Sequence, residues 1–237
     1  MEPRRIAIIQ SSYIPWRGYF SIVARCDAFV FLDSVQFTRR DWRTRNRIKT
    51  PAGPLWLSIP VRQKGQYHAA IDAIEIAEPG WADKHLRGIA TNYRRAPFFT
   101  AVFPLLEAAF GKAAEQPFLS AVNRSLTASL CGLLGIRTPL SCDTDLIDRA
   151  RLDALDPTER LVELAAASGA TEYLSGPSAR SYLDESAFAA RNMSVGWMDY
   201  SGLLPYRQLW GEFDPALSIV DALLNLGPVG TRAVLGD

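Results

Sequence analysis

The sequence predicts an α/β protein built on a Rossmann-like parallel sheet, with a helical segment in the middle of the chain. Three observations carry this expectation. Two short, continuous runs of apolar and β-branched residues, 6–9 and 28–32, have the composition of strands buried on both faces. A short amphipathic stretch, 19–25, lies between them and completes a βαβ unit with a parallel pair. From Trp81 to Gly135 the pattern then turns to helical periodicity. With 237 residues, 48% of them hydrophobic and 22% charged, the chain can bury a large core. We read 1–237 as a single domain, with 81–135 as a candidate helical subdomain.

The first strand runs directly into the polar Gln10, Ser11 and Ser12 and the amphipathic Tyr13, and Pro15 and Gly18 break the chain before the helix begins. In open α/β folds, ligands sit at the carboxyl ends of strands and at helix N-termini, so this stretch is the leading site candidate. An ordinary βα turn is the competing reading. Cys26-Asp27 closes the helix, and the second strand delivers Asp33-Ser-Val-Gln36-Phe37 to the same sheet edge as Gln10 to Tyr13. Residues 38–49 follow with six basic side chains (Arg39, Arg40, Arg43, Arg45, Arg47, Lys49), among them Asp41, Trp42 and Asn46. The run is either a solvated face or an anion site, because the guanidinium fork matches phosphate and carboxylate. Residues 54–61 and 71–77 read as strands, and the loop between them, with Lys64, Gly65, Tyr67 and His68, reads as a flap.

Three helices are expected at 81–93, 98–112 and 118–134, the last stopped by Gly135. His85 lies in the first of these and is a minor site candidate. With His68 the other histidine, a histidine metal site is not expected, and we assign no metal ligands. A short strand at 136–141, a loop at 142–145, a helix at 159–168 capped by Thr158 and ended by Gly169, and a strand at 170–174 follow. Residues 175–183 then form a second strand-to-loop junction, where Ser175, Gly176, Ser178 and Arg180 suit an anion. A plain turn is equally economical there. A strand at 195–198, a proline- and aromatic-rich loop at 203–210 and a helix at 217–226 complete the chain. Asp221 and Asn225, four apart on that helix, read as bracing a loop, and Trp56, Trp81 and Trp197 read as core.

The net charge of +1 gives no general attraction to nucleic acid or to a membrane surface. Nucleic-acid binding through residues 39–49 and Trp42 is therefore a minor reading. No run of about 18 apolar residues is present to span a membrane. Only four apolar residues follow Met-Glu-Pro-Arg-Arg, too few for a signal peptide. Cys26, Cys131 and Cys142 are odd in number and lack CxxC spacing, which argues against a disulfide framework or a structural zinc site and for a reducing compartment. The expectation is a cytoplasmic protein.

Several segments, in order, carry a resemblance. They are Ile-Ile-Gln10-Ser-Ser-Tyr13-Ile-Pro15-Trp-Arg-Gly18-Tyr19-Phe20; Asp33-Ser-Val-Gln36-Phe37 with Trp42 and Asn46-Arg47; and Trp56-Leu-Ser-Ile-Pro60-Val. Further along come Trp81, His85, Tyr93 and Ala96-Pro97; Tyr173-Leu-Ser175-Gly176-Pro177-Ser178 with Tyr182-Leu183; and Leu217-Ser218-Ile-Val-Asp221 with Asn225 and Gly227. On these the chain resembles the WbqC-like family, met in O-antigen and other surface-glycan gene clusters. It departs from the family pattern at Ser11, where proline is usual, and at Ser34, where a second aspartate is usual and a carboxylate is lost. A fainter similarity is to the pantothenate-synthetase branch of the nucleotidyltransferase (HUP-like) fold. In that branch a His-x-Gly-His motif stands where this chain has Trp16-Arg17-Gly18-Tyr19.

The resemblance implies work on amino-sugar or related building blocks, joining an acyl or aminoacyl group to an amine. ATP, with magnesium, is the implied activator, and the implied partner is a small molecule: an amino sugar, an amino acid or an acyl donor. Gln10, Tyr13 and Asp33 would orient substrate, with Asp33 as base or ammonium partner. Arg45, Arg47 and Arg180 would hold phosphate or carboxylate. Ser11, Ser12, Gly18, Tyr19, Gln36, Trp42, Asn46, Ser175, Gly176 and Ser178 would complete the contacts. Both histidines of the nucleotidyltransferase motif are missing, which leaves open a non-catalytic nucleotide or nucleotide-sugar binding protein on the same fold.

Overall fold

The computed structural model describes residues 4–66 and 68–236. The flap residue Tyr67 and the first three residues lie outside that range. In chain order the elements are β1 (Arg5–Ile9), α1 (Arg17–Ala24), β2 (Ala28–Phe31), β3 (Arg45–Thr50), β4 (Gly53–Ser58), α2 (Trp81–Tyr93), α3 (Phe99–Ala114) and α4 (Leu119–Leu133). They continue as β5 (Leu140–Cys142), α5 (Asp143–Leu146), α6 (Arg149–Ala154), α7 (Pro157–Ala167), β6 (Glu172–Ser175), α8 (Glu185–Ala189), β7 (Ser194–Trp197) and α9 (Ile219–Ala233).

Five strands form one parallel sheet in the order β5-β2-β1-β6-β7. This is the Rossmann-like arrangement, with the first strand central and the strand order reversing between β1 and β6. The apolar runs exist because both faces of β1 and β2 are covered. Ala7, Phe29 and Phe31 face one core, built with α1, α2, α3, α4 and the first half of α9. Ile6, Ile8, Ala28 and Val30 face another, built with Leu152, Val162, Leu164 and Phe188 of α6, α7 and α8. The hairpin of β3 and β4 forms a separate antiparallel sheet. Helices α2 to α4 share the first core with Phe20, Phe29, Leu57 and Leu223.

Several local expectations are corrected. The basic run becomes a strand from Arg45 onward: Asn46 and Ile48 turn inward while Arg45 and Arg47 stay half-exposed, so strand alternation was hidden under the charges. Residues 71–77 are not a strand; Ile71–Ala73 is a 3-10 turn. Ile71 and Ile74 are both buried, the three-residue repeat of such a turn rather than the two-residue repeat of a strand. Residues 142–145 are not a loop: Cys142 ends β5 and caps α5, which Asp143 to Asp145 begin, and the Asp145 carboxylate accepts the Cys142 N–H as half of a capping box. Helix α6, unforeseen, starts on the Asp148 cap. Asp156, not Thr158, caps α7, accepting from the N–H groups of Thr158 and Glu159 with Pro157 in the first turn. Helix α9 runs past residue 226, but Gly227 (φ 70°, ψ 173°) and Pro228 kink it at the expected end. Trp56 is not core; it is 41% exposed on the hairpin. Trp81 is buried, and Trp197 is half-buried against the second core.

Candidate functional site

The loop leaving β1 is held in an unusual shape. Ile14 has φ 34°, a value that a β-branched residue adopts only when its surroundings impose it. Asn46 imposes it: its Nδ2 donates to the carbonyls of Tyr13 (3.1 Å) and Ile14 (3.0 Å). The Tyr13 N–H also donates to the Trp42 carbonyl at 2.8 Å. The loop after β2, the start of β3 and the β1–α1 loop are thereby locked together. The entrance to α9 joins them, with the Ile219 N–H on the Pro15 carbonyl (2.8 Å) and the Ser218 N–H on the Arg47 carbonyl (2.9 Å).

These elements enclose a cavity of about 370 Å³ lined by Ser12, Pro15, Trp16, Tyr19, Trp42, Asn46, Pro215 and Ala216. Gly18 is needed here for space: a Cβ would collide with the Trp16 indole folded over it. Past Trp42 lies a second cleft of about 380 Å³ lined by Arg40, Asp41, Trp42, Arg43, Arg45 and Trp56. The Trp42 and Trp56 rings stand 5.7 Å apart, and the Arg45 guanidinium covers Trp56 at 4.3 Å. The crevice is thus aromatic on one side and cationic on the other.

Asp33 lies behind this crevice, fully buried. Its Oδ1 accepts the Ser11 N–H at 2.9 Å, and Oδ2, which has no hydrogen-bond partner, faces the Arg124 guanidinium at 3.9 Å. Burial pushes its carboxyl up to about 6, against the opposing pull of Ser11 and of Arg124. Tyr13 is also fully buried. Its hydroxyl lies 2.6 Å from His85 Nδ1, while His85 Nε2 faces the Ser58 carbonyl at 3.2 Å. A carbonyl needs a donor, so Nε2 carries the proton and Nδ1 accepts from Tyr13.

The other expected site residues divide between the crevice and its surroundings. Ser12, Gly18, Tyr19, Trp42, Arg45 and Asn46 lie in or directly under the crevice. Gln10 stands at its edge, its Oε1 accepting from Arg43. Ser11 belongs to the buried layer with Asp33. Arg47 bonds the segment before α9, reaching the Ala216 carbonyl (3.4 Å) and Asp214 (3.8 Å). Gln36 is exposed and bridges Ala70. Ser175, Gly176, Ser178 and Arg180 leave β6 at the same sheet edge, but line neither cleft. Ser175 is buried, and the Arg180 guanidinium lies over the Trp197 ring at 5.2 Å. Asp221 accepts from the hydroxyls of Tyr93 (2.8 Å) and Tyr206 (2.7 Å), which braces the loop carrying Tyr206.

Arg124 and Asn123, both on α4, escaped the sequence reading. Asn123 Nδ2 donates to the Arg43 carbonyl at 2.9 Å and reaches Ser11 Oγ at 3.4 Å. The one signal was an amide and a guanidinium side by side on a helix whose buried face also carries Leu119, Val122, Leu126 and Leu130. Arg17, within the segment that replaces the His-x-Gly-His motif, points away from the crevice and binds the carbonyls of Leu203 (2.9 Å) and Leu204 (2.6 Å).

Fold and site together define an α/β protein with an aromatic and cationic crevice at the carboxyl edge of a parallel sheet. The chain belongs to the WbqC-like protein family, whose model matches residues 10–233. It is 44% identical over 226 residues to the uncharacterized protein Rv1507c of Mycobacterium tuberculosis (strain ATCC 25618 / H37Rv), over 94% of each chain. No solved structure matches it. Among the described residues no helix is long and apolar enough to cross a membrane.

Proposed function

We propose that the crevice binds an anionic, ring-bearing small molecule of surface-glycan or small-molecule biosynthesis and that the protein joins an acyl or aminoacyl group to its amine. The observation that carries this is the meeting, at Trp42, of an aromatic cavity with a cleft holding three arginines and a single carboxylate. A sugar or base ring fits against Trp16, Tyr19 and Trp42, and Arg40, Arg43 and Arg45 suit its phosphate or the carboxylate of a donor. In amide formation the amine nitrogen bonds to the acyl carbon, the bond to the leaving group breaks, and the amine proton needs an acceptor. Asp33, bonded to the Ser11 N–H next to Ser12 and with its carboxyl raised by burial to about 6, is the acceptor we assign. The three arginines also suit the phosphates of ATP. Magnesium, where ATP is used, would be carried on the nucleotide's own phosphates.

A second reading, binding without chemistry, is favoured by the complete burial of Asp33 and Tyr13. One experiment addresses both. A thermal-shift panel of nucleotide sugars, ATP, acyl-CoA and amino acids is run on the protein and on Trp42→Ala, followed by mass spectrometry of the mixtures that stabilise it. We expect stabilisation by a phosphate-bearing ligand that Trp42→Ala loses, and an amide product that Asp33→Ala reduces at least a hundredfold. Ligand binding without product would leave the binding reading. Stabilisation unchanged in Trp42→Ala would remove the crevice from both.

A further inference from the structure

A cleft elsewhere on the molecule is independent of the crevice. It measures about 400 Å³ and lies between the turn after α2, the irregular segment 199–218 and α9, with Arg95, Pro97, Arg207, Leu209, Trp210 and Asn225 in its walls. It shares no lining residue with the crevice. Arg95 and Arg207 come from segments 112 residues apart and have no hydrogen-bond or ion-pair partner among the described residues.

The other polar groups of this cleft are already engaged. The Gln208 side chain accepts from Lys49 Nζ (2.7 Å) and from the Asp214 N–H (2.9 Å), and donates to the Asp214 carbonyl (2.9 Å). Asn225 Nδ2 donates to the Asp221 carbonyl at 2.8 Å, and Trp210 Nε1 to the Asn92 carbonyl at 3.2 Å. Asp221, a buried carboxylate bonded to Asn225, is engaged with two tyrosine hydroxyls. No acidic residue lines the cleft. What it offers a ligand is two uncompensated guanidinium groups above fixed apolar walls.

We infer that this cleft is a second binding site, for an oxyanion carried on an apolar body. Two guanidiniums on one concavity match a phosphate or carboxylate, each able to donate two parallel hydrogen bonds. The volume exceeds the needs of a bare oxyanion, and Trp210, Leu209 and Pro97 supply the contact surface for the remainder.

Isothermal titration calorimetry with phenyl phosphate, phenylacetate and orthophosphate tests the site on the full chain. Variants Arg95→Ala and Arg207→Ala are compared with Arg43→Ala of the crevice, and Arg207→Lys separates charge from fork geometry. Both arginines are exposed, so folding of the variants is expected and is checked by thermal melting. The expected result is saturable binding of an aryl anion, tighter than orthophosphate, with one component that is weakened at least tenfold in Arg95→Ala and Arg207→Ala and that persists in Arg43→Ala after any component belonging to the crevice is lost. Preference for phenyl phosphate or phenylacetate assigns the head group. Binding lost in Arg43→Ala but kept in the other two would move the ligand to the crevice and overturn the inference. So would the absence of saturable heat from all three probes.

Discussion

Burial raises the carboxyl of Asp33 to about 6 and lowers the imidazole of His85 to about 4, since each loses solvation in its charged form. Their contributions to stability oppose one another in the same pH window. His85 stabilises the native state fully above its unfolded value of about 6.5, and that stability drains away as pH falls toward 4. Asp33 does the reverse: its ionisation costs the native state above pH 6, and the cost is relieved as pH falls toward 3.8. With Asp33→Asn the second effect disappears, so stability should fall more steeply than in the parent protein on going from pH 6.5 to 4. Urea unfolding at several pH values in that range measures this, and parallel curves for the two proteins would refute it. At this scale the sequence was informative about Gln10 to Tyr13 and Asp33, because strand ends are visible as a switch from apolar to polar residues. It gave no pairing for Arg124, which lies 91 positions further along the chain and meets Asp33 only in the fold.

Among the elements, segment 199–218 has little regular structure, yet it walls both the crevice, through Pro215 and Ala216, and the second cleft, through Arg207 to Trp210. Arg17 pins it. The guanidinium is buried with no carboxylate partner among the described residues, donates to the Leu203 and Leu204 carbonyls, and packs over the rings of Tyr206 and Phe213 at 5.5 and 5.4 Å. Removing it takes the donor from two part-buried carbonyls and the cation from two aromatic rings, at a cost of about 1–3 kcal/mol. Arg17→Ala should therefore lower the melting temperature and expose residues 203–213 to limited proteolysis, read by mass spectrometry. An unchanged digestion pattern would show that the segment is held by other means. The strands β1 and β2 were legible because burial on both faces leaves one unbroken apolar run. Strand β3 was not, since five of its six residues are polar or charged on a half-exposed hairpin, and charge hides alternation. The short capped helices α5 and α6 were missed for a similar reason: four to six residues carry too little periodicity to see.

For the molecule as a whole, helices α2 to α4 have no private core; they bury Val102, Leu106, Phe110 and Leu126 in the same cluster as Tyr13, Phe20 and Leu223. A fragment of residues 81–135 should then be largely unfolded by circular dichroism, while the full chain melts in one transition. A folded, cooperative fragment would instead establish a subdomain. The sheet order has one more consequence. Strand β1 is made first and sits in the centre, but its partner on one side, β6, spans residues 172–175. A ribosome adding about 5–20 residues per second leaves that apolar edge unpaired for on the order of ten seconds or more. During synthesis the chain therefore displays a hydrophobic strand edge to any nascent-chain chaperone, and premature release before residue 175 yields an aggregation-prone product.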